Sequence, residues 1–328
     1  MPAKFRWGIL APGTIAHKFA AGIQALPDAE LVAVGSRALE RAQDFAAKYR
    51  IPRAYGSYQE LAADAQVDAI YVATPHHLHA ETTILCLEHG HAVLCEKPFA
   101  GNSQQAEAMV ACARRRGVFL MEAMWSRFLP VMDVVAEWLK QGRIGELRRV
   151  ECDFSFRGDG NPLSRLLNPA LCGGGLLDVG IYPLAFTSWV FGGLPQQVAS
   201  LAEIGRTGVD EQAGILLLYP GGAMAVLTCG VRTQGQVSAR ILGTEGSIEI
   251  PSPFFCAREA VLRTPQSEVR ERRPLLATGY EYEAMEVARC VRAGLLESPA
   301  MRLEESLDLT RFMTRLRKQW GVRYPFDP

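Results

Sequence analysis

Hydrophobic and polar positions in the first third of the chain form short apolar runs separated by longer amphipathic stretches. The runs predict strands and the stretches predict helices. The predicted strands cover residues 5–11, 31–35, 69–73, 91–95 and 118–121, and the predicted helices cover 14–26, 39–50, 78–89 and 103–116. Repeated strand–helix units predict a doubly wound parallel sheet with right-handed crossovers.

The pattern changes after Glu122. Strand candidates become longer and follow one another at short spacing, over residues 147–156, 197–204, 213–219, 224–231, 238–242 and 247–250. Gly221-Gly222 and residues 243–246 separate some of them as hairpin turns. Helices are predicted over residues 127–141, 181–191, 279–296 and 303–320. This half therefore predicts an α/β domain with an open, predominantly antiparallel sheet.

Chain length and composition narrow the class of protein. A chain of 328 residues exceeds what one core usually holds, so we predict two domains, residues 1–122 and 123–328. The 35 basic and 35 acidic residues give a net charge of zero, which favours a small-molecule ligand over nucleic acid or an anionic membrane.

The eight cysteines contain no CxxC pair, which indicates reduced thiols rather than disulfides or a zinc site. No signal peptide opens the chain, and no apolar run approaches membrane-spanning length. These observations predict a cytoplasmic protein.

The loop after the first strand is the first candidate for ligand binding. A dinucleotide fingerprint has glycines where Ala11, Gly13 and Ala16 stand. Only Gly13 is glycine, at the closest approach to a pyrophosphate. The helix that starts at Thr14 and Ile15 offers N–H groups and a positive dipole end to phosphate. We predict cofactor binding by Ala11, Gly13, Thr14 and Ile15, with an ordinary βα turn as the alternative.

The end of the second strand bears on which cofactor is bound. An NAD-binding protein usually has an acidic residue there for the ribose 2′-hydroxyl. This chain instead has Ser36 and Arg37, and Arg41 follows on the same helical face. A guanidinium fork suits a phosphate, so these three residues favour NADP, with NAD as the alternative cofactor and a solvated helix start as the alternative interpretation.

The third predicted strand ends in Thr74 and Pro75, followed by His76, His77 and His79. A turn stiffened by proline here would line the wall beside the nicotinamide ribose. We assign Thr74, Pro75, His76 and His79 to cofactor binding. The histidine spacing without a nearby carboxylate or cysteine is a poor zinc ligand set, so no metal is predicted.

Glu96-Lys97-Pro98 directly follows the apolar strand 91–95. In doubly wound sheets, ligands bind beyond the carboxyl ends of the strands. Lys97 can therefore reach a bound substrate, and Pro98 fixes the direction in which the chain leaves the strand. We also assign Glu96 and Lys97 to cofactor binding. A surface lysine in a turn is the alternative.

A triple glycine, residues 173–175, precedes Asp178 and Tyr182. Consecutive glycines let a backbone pass close to a ligand or a partner segment. Asp178 and Tyr182 are four residues apart at the start of a predicted helix, so their side chains can share one face. A tyrosine near a lysine is a usable acid–base pair. A helix cap and a buried aromatic residue are the alternatives.

These stretches, together with Glu122–Phe128 (EAMWSRF), occur in an order that resembles the glucose–fructose oxidoreductase/inositol dehydrogenase/MocA family. The resemblance covers nearly the whole chain. It is strongest to the branch of dimeric dihydrodiol dehydrogenases and NADP-dependent D-xylose dehydrogenases. Many members have DxGxH where this chain has Asp178-Val179-Gly180-Ile181-Tyr182, and the tyrosine argues against an inositol dehydrogenase.

The resemblance implies an amino-terminal Rossmann domain and hydride transfer between nicotinamide and a carbinol carbon of a sugar or trans-dihydrodiol, such as the C1 hydroxyl of an aldopyranose going to the lactone. Lys97 would hold and polarise the hydroxyl, Tyr182 would accept its proton, and Asp178 would orient the substrate or the catalytic pair. Trp125 and Arg127 would border the cofactor and sugar pocket. The outer face of the second sheet would form a homodimer or higher oligomer.

Two alternatives to this function remain. The first is reduction of a keto sugar such as 1,5-anhydrofructose, and the second is a non-catalytic NADP-sensing regulatory protein. We expect the loop 157–172, with Asn161, Arg165 and Asn168, to contribute to substrate specificity.

Overall fold

The computed structural model describes residues 3–327. They divide into two compact units. One takes the chain up to Trp125 together with Leu276–Thr310, and the other takes Ser126–Leu275 and the chain from Arg311 onward. The functional domain boundary at residue 122 stays a prediction.

The strands are β1 (Phe5–Leu10), β2 (Ala29–Gly35), β3 (Arg53–Tyr55), β4 (Ala69–Val72), β5 (Ala92–Glu96), β6 (Leu120–Ala123), β7 (Leu147–Ser155), β8 (Gln197–Ile204), β9 (Asp210–Leu218), β10 (Met224–Gly230), β11 (Ala239–Gly243), β12 (Ser247–Ile250), β13 (Glu259–Thr264) and β14 (Ser267–Arg272). The α-helices are α1 (Thr14–Gln24), α2 (Leu39–Tyr49), α3 (Tyr58–Ala62), α4 (His79–Glu88), α5 (Ser103–Arg116), α6 (Pro130–Lys140), α7 (Ile181–Phe191), α8 (Tyr280–Arg292) and α9 (Leu303–Trp320).

The first unit contains a six-stranded sheet in the order β3-β2-β1-β4-β5-β6, with every pair of neighbours parallel. All residues of β4 and β5 are buried, as expected of strands that are covered on both faces. The strand order reverses at β1, and ligands bind at such a switch point beyond the carboxyl ends of the strands. The loops after β1, β2, β4 and β5 all leave from that edge.

The second unit contains an eight-stranded sheet in the order β14-β13-β12-β11-β7-β10-β9-β8. Neighbouring strands are antiparallel except β7 and β10, which are parallel. Along β9 and β10, buried and exposed positions alternate, so one face of the sheet packs inside and the other meets solvent. The two sheets confirm the predicted fold class.

Four short elements escaped prediction: β3, α3, β13 and β14. A fifth difference lies at α6, which begins at Pro130 instead of residue 127, because the preceding Trp125–Phe128 form a 3-10 turn. Proline is favoured at the first position of a helix, where its missing N–H costs nothing. Pro130 therefore marks the start of the α-helix.

Pro169–Phe191 contradicts the prediction that no apolar run approaches membrane-spanning length. This helical stretch is long and apolar enough to cross a membrane, but 89% of its apolar window is buried inside the protein. It forms the interior of the second unit, where a helix is apolar on all sides. All eight cysteines are free thiols, and only Cys256 is partly exposed.

Candidate functional site

The loop after β1 has the backbone geometry of a nucleotide-binding turn. Ala11 has a φ of 73°, a left-handed conformation that costs roughly 1–2 kcal/mol for a residue with a Cβ atom. The Ala11 N–H donates to the Gly35 carbonyl at 2.9 Å. A Cβ atom on Gly13 would meet no protein atom within 4 Å, so the space in front of α1 is open. Within residues 3–327, no side chain caps this helix, and its N–H groups fit a pyrophosphate there.

The end of β2 brings Arg37 and Arg41 together with Tyr58. Both guanidiniums are exposed. Burial raises the pKa of Tyr58, and the positive charges of Arg37 and Arg41 oppose that shift. The buried Ser36 hydroxyl accepts from the Ala38 N–H at 3.4 Å. Two solvent-facing cations at this strand end are suited to a phosphate.

His79 ties together the two loops that leave β4 and β5. Its ring nitrogens lie 2.8 Å from the Pro98 carbonyl and 2.9 Å from the Thr74 carbonyl. Burial lowers the pKa of His79 to about 4. Because the ring is fully buried and spans two carbonyls, His79 is placed to fix the loops rather than to contact a cofactor directly. Its neighbour His76 is half-buried and packs edge-on against it at 5.5 Å between ring centroids.

Glu96 is buried and accepts hydrogen bonds from inside the protein. The Tyr71 hydroxyl donates to Glu96 Oε1, and the Lys97 backbone N–H donates to Glu96 Oε2 at 3.1 Å. Burial raises the pKa of Glu96. On the other side of the loop, the Phe99 N–H donates to Glu122 Oε1 at 3.1 Å. Two carboxyl groups thus hold the backbone around Lys97, which is half-buried, and the cofactor contact predicted for Glu96 gives way to anchoring of this loop.

Trp125 is buried and stacks on Tyr280 of α8, with 4.5 Å between the ring centroids. Thr74 is buried as well, and its hydroxyl lies 3.2 Å from that of Thr82. Pro75 is exposed. Among these predicted cofactor residues, Pro75 is the most accessible, and the other two lie within the unit.

In the second unit, Asp178 and Tyr182 follow the triple glycine on one continuous helix. Leu176–Gly180 form a π-helical turn that runs directly into α7. π-Turns shift the register by one residue and are frequent at functional sites. Asp178 is buried, and its Oδ1 accepts from Arg165 Nη1 at 2.5 Å. The side chain of Arg165, from the loop 157–172, is 59% exposed.

Tyr182 lies in an aromatic wall formed with Phe154 and Phe255. Its ring centroid is 5.2 Å from that of Phe154 and 5.6 Å from that of Phe255. Phe154 and Phe255 stack on each other at 4.5 Å. Tyr182 and Phe154 are buried, and Phe255 is partly exposed, so Phe255 is the ring of this wall that can offer an apolar surface to a cyclic ligand.

The other predicted residues of this unit have structural contacts. Arg127 Nη2 donates to the Ala185 carbonyl of α7 at 3.2 Å. The side chains of Asn161 and Asn168 accept from backbone N–H groups two residues further on, at 3.0 and 2.9 Å. These two asparagines shape the loop 157–172, and within it Arg165 is the residue that reaches Asp178.

Sequence reasoning missed Tyr58, Glu122, Phe154 and Phe255 as site residues. The alternation of β7 marks Phe154 as inward-facing. Glu122 opens the EAMWSRF stretch, but no pattern there indicates its hydrogen bond to Phe99. Tyr58 and Phe255 carry no local signal, because their partners are distant in sequence. Within the described residues 3–327, no group of three or more His, Cys, Asp or Glu side chains is arranged to hold a metal ion.

Two family models match the chain. Residues 5–124 match the oxidoreductase family with an NAD-binding Rossmann fold, and residues 132–249 match the GFO/IDH/MocA C-terminal domain. The chain belongs to the GFO/IDH/MocA oxidoreductase family. Among its relatives in this family is the mouse trans-1,2-dihydrobenzene-1,2-diol dehydrogenase, 42% identical over 98% of both chains. The human enzyme of the same name is 40% identical over the same shares.

Solved structures of the family agree with this fold. The aldose–aldose oxidoreductase from Caulobacter crescentus, complexed with glycerol, has a TM-score of 0.89 and 25% identity over 97% of this chain and 98% of its own. A 3-ketoreductase from Actinomadura kijaniata, in complex with NADP and TDP-benzene, has a TM-score of 0.86 and 26% identity over 99% and 100% of the two chains. The chain is therefore an oxidoreductase that acts on CH–OH groups with a nicotinamide cofactor.

Proposed function

We propose that the protein is an NADP-dependent dehydrogenase that transfers a hydride between the nicotinamide and a carbinol carbon of a trans-dihydrodiol or cyclic sugar. The observation that carries this proposal is Tyr182, which follows buried Asp178 on one helix and is flanked by the rings of Phe154 and Phe255. An acid–base hydroxyl beside apolar ring faces matches a ring-shaped alcohol.

The trans-dihydrodiol is the substrate class that we favour. Phe255 stacks on the buried Phe154 at 4.5 Å and is itself partly exposed, so it can offer an apolar ring surface to a carbocycle. The mouse and human relatives carry the name of a dihydrobenzenediol dehydrogenase. An aldose is the second candidate, supported by the name of the Caulobacter crescentus structure.

In the proposed mechanism, written for oxidation, the phenolate oxygen of Tyr182 accepts the hydroxyl proton of the alcohol and becomes the phenol, while the hydride leaves the same carbinol carbon; reduction runs these transfers in reverse. The ammonium of Lys97 stabilises the negative charge that develops on the alcohol oxygen. Asp178, held by Arg165, orients the substrate. The cofactor, when bound, supplies the hydride acceptor for oxidation or the donor for reduction.

We further assign the cofactor as NADP rather than NAD. Arg37 and Arg41 both lie exposed at the end of β2, where the adenosine ribose of a dinucleotide binds in this fold. A 2′-phosphate would receive charge-assisted hydrogen bonds from them.

The proposal is tested by mixing the purified protein with NADP and a panel of trans-dihydrodiols and aldoses while following absorbance of the reduced cofactor. Turnover of a cyclic diol or aldose supports it. Activity only in reverse, with NADPH and a keto sugar, would identify a keto-sugar reductase. Cofactor binding with no turnover on any member of the panel would identify a nucleotide sensor and refute the dehydrogenase.

The residue roles have their own test. We expect Lys97→Met to lower turnover by roughly 10²–10³-fold, by analogy with removal of an oxyanion donor, and Tyr182→Phe to lower it by about 10²–10⁴-fold. Tyr219→Phe is the matched control, because Tyr219 is a buried tyrosine of the same unit that stacks on Phe191. Near-normal turnover in both Lys97→Met and Tyr182→Phe contradicts the assignment.

We also propose that the protein is a homodimer through the solvent-facing side of the second sheet. Apolar side chains are exposed there on three adjacent strands, with Leu201 at 84% on β8, Leu216 at 45% on β9 and Val226 at 38% on β10. Leu216 and Val226 are direct cross-strand partners. Contiguous exposed apolar surface of this kind marks an interaction site.

Light scattering after gel filtration should give a dimer for the wild type and a monomer for Leu201→Glu. Leu163→Glu is the control, since Leu163 is 78% exposed in the loop 157–172 of the same unit. A monomeric wild type would refute the dimer.

A cytoplasmic location is proposed from the eight free thiols, which stay reduced in that compartment.

A further inference from the structure

The triple glycine 173–175 is enclosed by protein on two sides. On one side, the N–H groups of Gly173 and Gly174 donate to the carbonyls of Asn168 and Leu166 at 3.0 and 2.8 Å. On the other side lies Asp210, the first residue of β9. A Cβ atom on Gly174, whose φ is 125°, would overlap Asp210 Oδ1. The glycines therefore make room for a carboxylate rather than for a ligand.

Asp210 is completely buried and holds the start of the helix that carries Asp178. Its Oδ2 accepts from the Leu176 N–H at 2.6 Å, and the Gly175 N–H also bonds to this carboxylate. Leu176 opens the π-turn, and Asp178 lies two residues further on. The direction in which this turn leaves the glycines is thus set by one side chain from a strand that is distant in sequence.

We propose that Asp210 is a positioning residue for catalysis, because it fixes the π-turn and thereby the orientation of Asp178 and Tyr182. This inference rests on the proposed function of those two residues. Asp210 does not itself touch the substrate; it acts through the backbone of residues 174–176.

The charge of Asp210 is part of its action. An ionised carboxylate binds N–H groups roughly twice as strongly as a neutral acceptor. Burial raises the pKa of Asp210 to about 7, and the charge of Arg317 opposes that shift. Two further ionisable groups interact with the carboxylate: Tyr324, whose hydroxyl donates to the Gly173 carbonyl at 2.6 Å, and Cys229 of β10. Asp327 pairs with Arg317. The hydrogen bonds from the backbone N–H groups of Gly175 and Leu176 to Asp210 should therefore strengthen as the carboxyl group ionises near neutral pH.

The test compares wild type with Asp210→Asn, which keeps the shape and one acceptor but removes the charge. We expect single-turnover hydride transfer at saturating cofactor to fall about tenfold to hundredfold, as for a misplaced catalytic group. The affinity for NADP, measured by fluorescence titration, should stay unchanged. The rate of the wild type should rise through pH 7, and Asp210→Asn should lack that inflection.

Hydrogen exchange of residues 174–182, followed by mass spectrometry, should be about tenfold faster in Asp210→Asn because a charge-assisted hydrogen bond is lost. Gly174→Ala displaces the carboxylate and should lower the rate in the same way. Gly193→Ala, at the far end of α7, is the matched control, because a Cβ atom there meets nothing within 4 Å.

A rate within twofold of wild type for Asp210→Asn, with the wild-type pH profile, overturns the inference while leaving the dehydrogenase intact. A wild type that turns over no substrate overturns the proposed function instead, and hydrogen exchange then decides whether Asp210 fixes the turn. If Asp210→Asn does not fold, Gly174→Ala decides: wild-type rates and pH profile in that variant overturn the inference.

Discussion

Replacement of Arg37 by glutamine should separate the two nicotinamide cofactors. Arg37 is exposed at the end of β2, beside Arg41 and the hydroxyl of Tyr58. Glutamine keeps most of the length of the side chain but removes the charge and the planar fork. NADP differs from NAD only by the 2′-phosphate, so a residue that binds this group affects the KM for NADP alone.

The expected magnitude follows from exposure. A hydrogen bond to a charged group contributes about 1.5–3 kcal/mol, and solvent screening at an exposed site places Arg37 at the lower end of this range. About 1.4 kcal/mol corresponds to a tenfold change. We therefore expect Arg37→Gln to raise the KM for NADP about tenfold, with kcat unchanged, because the interaction is the same in ground and transition states.

Initial-rate kinetics with NADP and NAD, at low and high salt, measure this effect. The difference between variant and wild type should shrink as salt rises. Lys48→Gln is the matched control, since Lys48 is an exposed cation in the last turn of the same helix, α2. A KM for NADP that rises less than twofold, or an equal rise for NAD, would refute the role of Arg37.

Two further predictions concern stability. Arg317 is 1% exposed and pairs with Asp327 at 2.9 Å, so Asp327→Asn should lower the free energy of unfolding in urea by about 3 kcal/mol. Glu271→Gln, which breaks the exposed pair with Arg273, should cost less than about 1 kcal/mol, and equal losses would contradict this reasoning. Burial raises the pKa of Asp210 to about 7, from 3.8 in the unfolded chain. The folded protein therefore binds this proton more tightly than the unfolded chain does. Wild-type stability should fall as the pH rises from about 3.8 to about 7, by up to about 4 kcal/mol relative to Asp210→Asn. Parallel pH curves for the two proteins would exclude the raised pKa.

The sequence predicted the parallel sheet well because its strands are buried on both faces and read as continuous apolar runs. It missed β3, which has only three residues, and β14, which alternates charged side chains at the sheet edge. There, Arg270 and Arg272 pair with Glu259 of the neighbouring strand. A pattern of apolar positions cannot reveal a strand that is held by cross-strand ion pairs.

The sequence predicted which candidate residues follow the strands of the parallel sheet, but not the contacts that their side chains make. Chain order placed Glu96 and His79 at the edge of the sheet, yet hydrogen bonds direct both side chains inward. The triple glycine was noticed as a close approach of the backbone. Its partner, Asp210, lies more than 30 residues away, and no local pattern connects the two. Such pairings arise only when tertiary packing brings distant segments together.

Helix α8 completes the first unit from the far end of the chain. Arg292 bonds Asp28 at 2.8 Å, the Thr278 hydroxyl bonds the Lys18 carbonyl at 2.9 Å, and the Leu120 N–H bonds the Leu296 carbonyl at 3.1 Å. A fragment that ends at Trp125 would therefore lose the contacts that residues 278–296 make with Lys18, Asp28 and Leu120. We therefore expect the Rossmann sheet to fold and bind nucleotide only when residues 276–310 are kept with it.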